Sequence, residues 1–375
     1  MMERRRHPKR ATHPSNAKPR RWKMGLLIAA GTLLFGYAAA YVASEDVRYI
    51  TRAGIEESRI LMNRVPIDFL AADSTAPDSL RSMASLVVSV RNHARQLGME
   101  AGETYTTYSD VGRDTLLLVL TTSPKNCLCP VTWSYPIVGR IPYKGFFDER
   151  KAMEAADRYS SRDYDVHLRP SGAFSTLGWF NDPLLSTALT TDSVELAATV
   201  FHEIAHNSLW VKGAVDFNES FAQWMGYRAA ADFFMERGDT AHALRAIDRW
   251  HDERILGEYY DLLLGKLDSL YALRLPPEQN QRGREQIEAW SRDTLAAPFG
   301  QSLRTVDPTR LGNRAINNAA LLGVRLYRTG LDLFAAFERQ QKGDLTRSLY
   351  RLRELMDGVE GPQAFDRLRN VVDGR

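Results

Sequence analysis

A run of twenty residues without a charge, residues 24–43, constrains this chain more than any other feature. At about 1.5 Å per residue, a helix of this length spans about 30 Å, the thickness of a hydrocarbon core. Nine Lys or Arg and one acid precede it in residues 1–23. Positive flanks stay on the cytoplasmic side of a membrane. The pattern therefore predicts a basic cytoplasmic tail (1–23), a transmembrane anchor (24–43) and an extracytoplasmic domain (44–375).

A cleavable signal peptide is the alternative interpretation of the same segment. Ala38 and Ala40 form an A-x-A pattern of the kind that precedes a cleavage site. The long basic lead and the length of the apolar run favour a single-pass anchor. Both interpretations place the domain outside the cytoplasm, in a periplasm or at a cell surface.

The charge of the chain is unevenly distributed. The formal net charge is +3, and the basic tail alone contributes +8, which leaves 40 basic and 45 acidic residues for the rest. A slightly acidic body has no basic patch for phosphate backbones. The sequence therefore excludes nucleic acid as a partner.

The periodicity of apolar residues changes along the domain. Helical spacing predicts helices over 45–66, 77–99 and 148–160, and almost everywhere after residue 192. Short β-branched or aromatic runs predict strands at 115–122, within 131–147 and at 165–176. Pro276 and Pro277 indicate the bend of a long helical hairpin. We therefore expect a helix-dominated α+β fold with a small sheet before residue 192.

The segment that follows Asp192 contains H-E-x-x-H, formed by His202, Glu203 and His206. Asp192 with Glu195 resembles a capping box, so a helix is expected to begin here. Residues four apart project from one face of a helix, so both imidazoles can bind one Zn²⁺. Glu203 lies on the adjoining edge, where its carboxylate can take a proton from an attacking water without being a ligand. Two histidines on the surface of an amphipathic helix are the alternative.

A catalytic zinc site needs a third protein ligand and an open position. Glu219 stands near the start of the next predicted helix, 216–234, which would pack antiparallel to the first. His₂Glu is a known catalytic set, so Glu219 is the predicted third ligand, although acids are also favoured at helix starts. Asp216 and Glu236 are the reserve candidates, and His242 and His251 are expected to be solvated.

Five stretches, in this order, resemble the bacterial putative aminopeptidase family across about residues 45–360. They are P-Y-K-G-F-F-D (142–148), S-T-L-G-W-F-N-D-P-L-L-S-T (175–187), F-H-E-I-A-H (201–206), F-N-E-S-F-A (217–222) and I-N-N-A (316–319). The resemblance implies a gluzincin-type zinc peptidase with a zincin-like fold, usually secreted, lipid-anchored or membrane-tethered. It implies Zn²⁺ held by His202, His206 and Glu219, with Glu203 as catalytic acid and base. This chain has no lipobox cysteine, so the transmembrane segment would do the anchoring.

Four further features are open to two interpretations each. Residues 175–180 suit an edge strand that pairs with substrate or aromatic core packing. Asn317 and Asn318 either orient groups behind the site or cap a helix. Tyr327, on the same predicted helix, is the candidate phenol to stabilise an oxyanion, or is structural. Cys127 and Cys129 could pair in an oxidising compartment, but a bridge with one residue between them would be strained, so a local structural role or none is expected.

The sequence thus predicts a membrane-anchored enzyme that hydrolyses peptide bonds in peptide or protein substrates with a zinc-activated water. One alternative is a zinc hydrolase of non-peptide amides or esters. The other is a tethered metal-binding or scaffold protein without activity. Glu203 argues against the second, because a structural zinc site has no need of an acid that is not a ligand.

Overall fold

The computed structural model describes residues 19–135, 139–171 and 183–374. Helices account for 66% of the structure, and the sheets are small, which confirms the predicted helix-dominated α+β class. The chain divides into two units, Met1–Glu56 and Glu57–Arg375. Residues 1–18 of the predicted basic tail (1–23) and the predicted edge strand at 175–180 lie outside the described residues, and residues 19–23 of the tail belong to the first helix.

The helices of the described ranges follow in chain order. They are α1 (Pro19–Ala43), α2 (Glu45–Met62), α3 (Ile67–Ala72), α4 (Asp78–Gln96), α5 (Glu149–Ser160), α6 (Ser193–Ser208), α7 (Val215–Glu236), α8 (Thr240–Ala272), α9 (Pro277–Ala296), α10 (Phe299–Ser302), α11 (Pro308–Gly312), α12 (Asn318–Arg328), α13 (Leu331–Gln340), α14 (Leu345–Met356) and α15 (Gln363–Val372).

The strands are short, as the sequence predicted. They are β1 (Val65–Pro66), β2 (Thr107–Ser109), β3 (Leu117–Pro124), β4 (Trp133–Tyr135), β5 (Gly139–Ile141), β6 (Lys144–Phe146), β7 (Tyr164–Ser171) and β8 (Leu184–Leu185). Among the described residues they form the sheets β1-β2-β8 and β6-β3-β7 and the hairpin β4-β5. In the second sheet β3 pairs antiparallel with both neighbours, and Thr121 faces His167 across to β7.

Local signals account for most element boundaries. The helix predicted over 77–99 is α4, and α9 begins at Pro277, so the two prolines do mark the bend after α8. The helix predicted over 45–66 ends earlier, at Met62, because Pro66 lies in β1 and the residue before a proline disfavours helical backbone.

The core of the second unit is organised around α6 and α7. Large side chains of both helices are completely buried, and α4, α8 and α13 pack around them. The predicted buried stripe of α7 is confirmed, because Phe221, Trp224 and Met225 are each 0% exposed. Trp224 also stacks on Phe334 of α13 with the ring centroids 5.6 Å apart. The histidine-bearing helix is therefore held on several sides by packed neighbours.

The first unit contains the predicted anchor. Residues Trp22–Ala43 of α1 form a helix long and apolar enough to cross a membrane, by length and composition. A signal sequence near an N-terminus passes the same test. The large apolar side chains of this helix are exposed, as they would be if lipid surrounded them.

Candidate metal centre

The helix that carries the two histidines begins at the predicted cap. The side chain of Asp192 accepts hydrogen bonds from the backbone N–H groups of Val194 and Glu195, at 3.1 and 3.4 Å. The capping box is incomplete, because Glu195 turns toward the domain interior. It accepts a hydrogen bond from the Tyr227 hydroxyl at 3.1 Å and pairs with Arg249 at 3.2 Å. Glu195 therefore joins α6 to α7 and α8 rather than closing its own N-terminus.

A glycine sets the distance between α6 and α7. A Cβ atom added to Gly226 would lie 2.8 Å from the carbonyl oxygen of Ala198 and 3.4 Å from Cβ of His202. The two helices thus approach so closely that only a residue without a side chain fits at their crossing. Glu219 lies seven residues before Gly226, two helical turns along α7 on the same face. The close crossing therefore brings Glu219 opposite the histidines of α6.

Three potential ligand atoms converge at this crossing. Nε2 of His202 lies 3.2 Å from Nε2 of His206, and Glu219 oxygens lie 3.4 Å from Nε2 of His202 and 3.8 Å from Nε2 of His206. Atoms bound at about 2.0–2.1 Å to one tetrahedral zinc are about 3.3–3.4 Å from each other. The spacing of the donor set fits a zinc ion, and the combination of two imidazoles with a carboxylate suits it chemically.

The electrostatic surroundings keep His206 in the form that binds metal. Burial, and then the neighbouring His202, lower the pKa of His206 to about 4, whereas Glu219 acts in the opposite direction. The imidazole is therefore neutral at neutral pH and has a lone pair to offer. Its Nδ1 atom is buried and has no hydrogen-bond partner within the described ranges. The ring is oriented by packing, with His202 at 4.9 Å and Trp210 at 5.5 Å between ring centroids.

Glu203 stands beside this ligand set on the same helix. Its side chain is partly exposed, between the buried Phe201 and Ile204 and next to His202. Of the two carboxylates, Glu219 is the one that converges with the histidines. The carboxylate with ligand geometry is therefore Glu219, and Glu203 is a second carboxylate outside the convergent set, as H-E-x-x-H predicts.

Tyr327 reaches the centre from α12. Its ring centroid lies 6.3 Å from that of His202. Burial raises the pKa of Tyr327 to about 12, with Glu219 and Glu203 acting in the same direction and Arg169 opposing them. The hydroxyl therefore stays protonated at neutral pH and is a hydrogen-bond donor at the edge of the site. The structure thus brings Tyr327 together with the residues predicted from H-E-x-x-H.

The two asparagines of I-N-N-A attach α12 to the sheet. Asn317 caps the helix by accepting from Ala320 N–H at 3.0 Å, and its amide donates to the Val166 carbonyl of β7 at 2.8 Å. The backbone N–H of Asn318 donates to Asp165 at 2.7 Å, and its side-chain amide donates to the Pro124 carbonyl at 2.9 Å. Both asparagines therefore determine where α12, and with it Tyr327, lies.

Sequence reasoning missed the buried pair behind this attachment. Arg284 of α9 donates to Asp165 at 2.7 Å and to the Ile316 carbonyl at 2.9 Å, and both charged side chains are less than one tenth exposed. The signal that could have revealed this pair is Asp165, an acidic residue within the predicted strand sequence D-V-H-L. Cys127 and Cys129 are disulfide-bonded next to the same region, where their carbonyls accept from Ser123.

The reserve candidates do not reach the centre. Asp216 is exposed and accepts from Phe217 N–H, and Glu236 lies at the far end of α7. Glu236 and Asp232 instead contact different nitrogens of the buried His93, at 3.4 and 3.1 Å. His93 thus connects α4 to α7 through contacts with two acids of α7, and Glu236 belongs to this cluster rather than to the one around Glu219.

His242 and His251 were predicted to be solvated and are only partly exposed. His242 pairs with Asp239 at 2.8 Å, and His251 contacts the Ser302 carbonyl at 3.0 Å. Asp239 and His242 lie together at the start of α8, where the Asp239 side chain caps the helix. Both histidines are thus accounted for by contacts with residues outside the candidate metal centre.

Gly226→Ala is expected to lower the free energy of unfolding by about 1–3 kcal/mol, because the methyl group forces apart two packed helices. The metal content of the protein should fall with it, since His202 lies at the contact. Chemical denaturation followed by circular dichroism, together with metal analysis, measures both effects.

Gly265→Ala is the matched control for this substitution. Gly265 is exposed on α8, and an added Cβ would meet nothing within 4 Å. Alanine there should stabilise the helix by about 0.5–1 kcal/mol. Equal effects of the two substitutions would show that the crossing does not depend on Gly226.

The fold and the site together define a helix-dominated α+β protein with an H-E-x-x-H helix and a three-residue candidate metal centre. The sequence model of the putative aminopeptidase family matches residues 48–363, so the chain belongs to that family. The family to which the five sequence stretches pointed is thereby confirmed, and membership supports peptidase activity on peptide substrates. No curated protein and no solved structure matches the chain significantly.

Proposed function

We propose that the protein is a membrane-anchored zinc metallopeptidase of the gluzincin type, with a zincin-like arrangement of sheet and histidine-bearing helix. The observation that carries the proposal is the convergence of His202, His206 and Glu219 beside the non-ligand acid Glu203. Structural zinc sites are closed by four protein ligands, whereas catalytic sites keep a position open. Within the described residues the cluster contains three ligand groups. This count favours a catalytic centre over a scaffold.

A bound zinc ion would lower the pKa of water toward about 7 and polarise the scissile carbonyl. Glu203 accepts a proton from the attacking water and returns a proton to the departing amine. The protonated hydroxyl of Tyr327 donates a hydrogen bond toward the oxygen on which negative charge develops. His202, His206 and Glu219 would hold the ion, and the packing of α6 against α7 keeps these three side chains in their relative positions.

The anchor proposal rests on the apolar segment Trp22–Ala43 and the basic residues before it. With the basic tail in the cytoplasm, a single span places residues 44–375 on the other side of the membrane. A disulfide between Cys127 and Cys129 is consistent with an oxidising compartment.

A reporter tests this topology. Alkaline phosphatase, which needs an oxidising compartment, is expected to be active when fused to the C-terminus, and a fluorescent protein that matures only in the cytoplasm is expected to stay dark. The same pair fused after residue 18 should give the reverse pattern, because that end is predicted to be cytoplasmic. A C-terminal fusion that is active in the cytoplasm would overturn the proposed localisation.

Metal analysis and substrate profiling of the full-length protein in detergent test the catalytic proposal. One zinc ion per chain and zinc-dependent cleavage of members of a peptide library are the expected results. The panel includes non-peptide amides and esters, because a zinc hydrolase of those compounds would use the same site. Cleavage confined to them would replace the peptidase assignment. A protein that binds no zinc and cleaves no compound of the panel would refute the proposal.

A further inference from the structure

An exposed tryptophan stands next to the metal ligands. Trp210 follows the end of α6 and is 55% exposed, whereas Trp224 and Trp250 are buried in the core. Its ring is 5.5 Å from that of His206, in an edge-to-face contact. One side of the indole therefore contacts a ligand of the candidate centre, and much of the rest is available to another molecule.

The indole also lines a groove of about 490 Å³. One wall is formed by residues 207–210 and Lys212, and a second wall is formed by residues 356–360, which begin at the last residue of α14. Binding sites for small organic ligands have volumes of about 300–1,000 Å³, so the groove has room for two or three residues of a peptide. The lining includes Asn207, the residue directly after His206, as well as Trp210, so the groove begins beside the candidate centre.

Hydrogen bonds hold the wall that carries Trp210 in place. The completely buried Asn218 accepts from Val211 N–H and donates to the Val211 carbonyl, both at 2.8 Å. Asn218 is adjacent to Glu219, so the same turn of α7 positions a metal ligand and the loop of Trp210. The groove wall and the candidate centre are therefore parts of one rigid arrangement.

The two walls are also joined to each other. Gly361 N–H donates to the Lys212 carbonyl at 2.8 Å. Gly213 has a positive φ of 75°, and a Cβ added to it would be 3.6 Å from the backbone of Gly361. The groove is thus formed by two segments in contact, and its width is set before any ligand binds.

The charges along the groove largely neutralise each other. Glu100 pairs with Arg353, and Lys212 pairs with Glu360 at 3.3 Å. Asp357 is the further charged residue of the lining. The two ion pairs cancel and Asp357 adds one negative charge, so the lining does not attract an anionic ligand. The exposed indole of Trp210 contributes an aromatic surface to this lining.

We infer that this groove is a substrate subsite, in which a bulky apolar side chain of the peptide packs on Trp210. The inference rests on the proposed peptidase function and specifies its substrate class. An extended peptide advances about 3.3–3.4 Å per residue. A side chain within two residues of the scissile bond therefore spans the distance from the metal ligands to the indole. Trp210 is a specificity-determining residue in this assignment.

The test compares peptides that differ at one position. The fluorogenic peptides are identical except at one of the four positions nearest the scissile bond, two on each side, where the residue is either Phe or Ala. The value of kcat/KM is measured for each peptide with the full-length protein in detergent. Burial of a Phe side chain should give a preference for Phe over Ala of about 10- to 100-fold at one position. Trp210→Ala should reduce that ratio to about 1–3-fold, and Trp210→Phe should retain most of it.

Two controls separate specificity from damage to the metal centre. The zinc content of Trp210→Ala is measured, because the indole packs on His206. Tyr350→Ala removes another exposed aromatic, 63% exposed and outside the groove, and should change neither the Phe preference nor the rate. A zinc-loaded Trp210→Ala variant that keeps the parental preference for Phe would overturn the inference.

Failure of the proposed function has a different signature. If the parent protein cleaves no peptide, the peptidase proposal fails, and the subsite is then tested by equilibrium binding of the same Phe and Ala peptides, labelled for fluorescence anisotropy. Tighter binding of the Phe peptides by the parent than by Trp210→Ala supports the subsite. Equal binding by both proteins overturns it.

Discussion

Replacing Glu203 by glutamine is expected to lower peptide hydrolysis by about 10²–10⁴-fold, the usual effect of losing a general acid or base. The amide has nearly the same shape as the carboxylate, so the packing of α6 is preserved. Glu203 stands outside the ligand set of His202, His206 and Glu219, so the variant should keep its zinc. The measurement is kcat/KM on a verified peptide substrate, with zinc content determined on the same preparation.

The control for this experiment is Glu154→Gln. Glu154 is an exposed acid on α5 that pairs with Arg150 at 2.7 Å. Exposed ion pairs contribute little to stability, so this variant should retain parental stability, zinc content and activity. If Glu203→Gln cleaved the substrate at the parental rate, the proposed acid and base role would be abandoned while the metal site stood.

Removing a ligand should have a different result, because metal binding and activity are lost together. His202→Ala deletes one of three converging donor atoms, and zinc content and hydrolysis are both expected to fall to background. Glu219→Gln removes the charge of the third ligand, so zinc affinity should fall at least about 10-fold, and excess zinc should restore part of the activity. Titration of the apo-protein with zinc, followed by activity assays, measures the two effects.

Asp216→Asn is the matched control for Glu219→Gln. Asp216 is on the same helix, three residues away, but it is exposed and outside the convergent set. The control variant should bind zinc and hydrolyse peptides like the parent. Stoichiometric zinc in a His202→Ala/His206→Ala double variant would eliminate the proposed site altogether.

The expectations from sequence succeeded where the signal was local. The start of α6 was predictable because an Asp side chain satisfies the free N–H groups of a first helical turn, as Asp192 does. The bend between α8 and α9 was predictable because proline interrupts helical hydrogen bonding and suits the first helical position. The common face of His202 and His206 follows from the 3.6-residue period of a helix.

Other parts of the site had only weak signals. Glu219 was chosen as a ligand from residue type and position in the chain, and its distance from the histidines depends on the close crossing at Gly226. No hydrophobic period indicates that a particular glycine lies at a helix contact. Glu195 was predicted to complete a capping box at the start of α6. Its carboxylate instead contacts Tyr227 of α7 and Arg249 of α8.

The sequence by itself determined the two imidazoles on one helical face, the acid between them, the apolar segment before the domain and the helix-dominated class. These properties depend on residues a few positions apart, whose relative placement follows from backbone geometry alone. Only the tertiary structure decided that Tyr327 approaches His202, that Asp165 pairs with Arg284 behind its helix, and that Trp210 and residues 356–360 line one groove. Those contacts join segments separated by more than a hundred residues. They depend on which helices pack together and how closely, and side-chain volume at each crossing decides that.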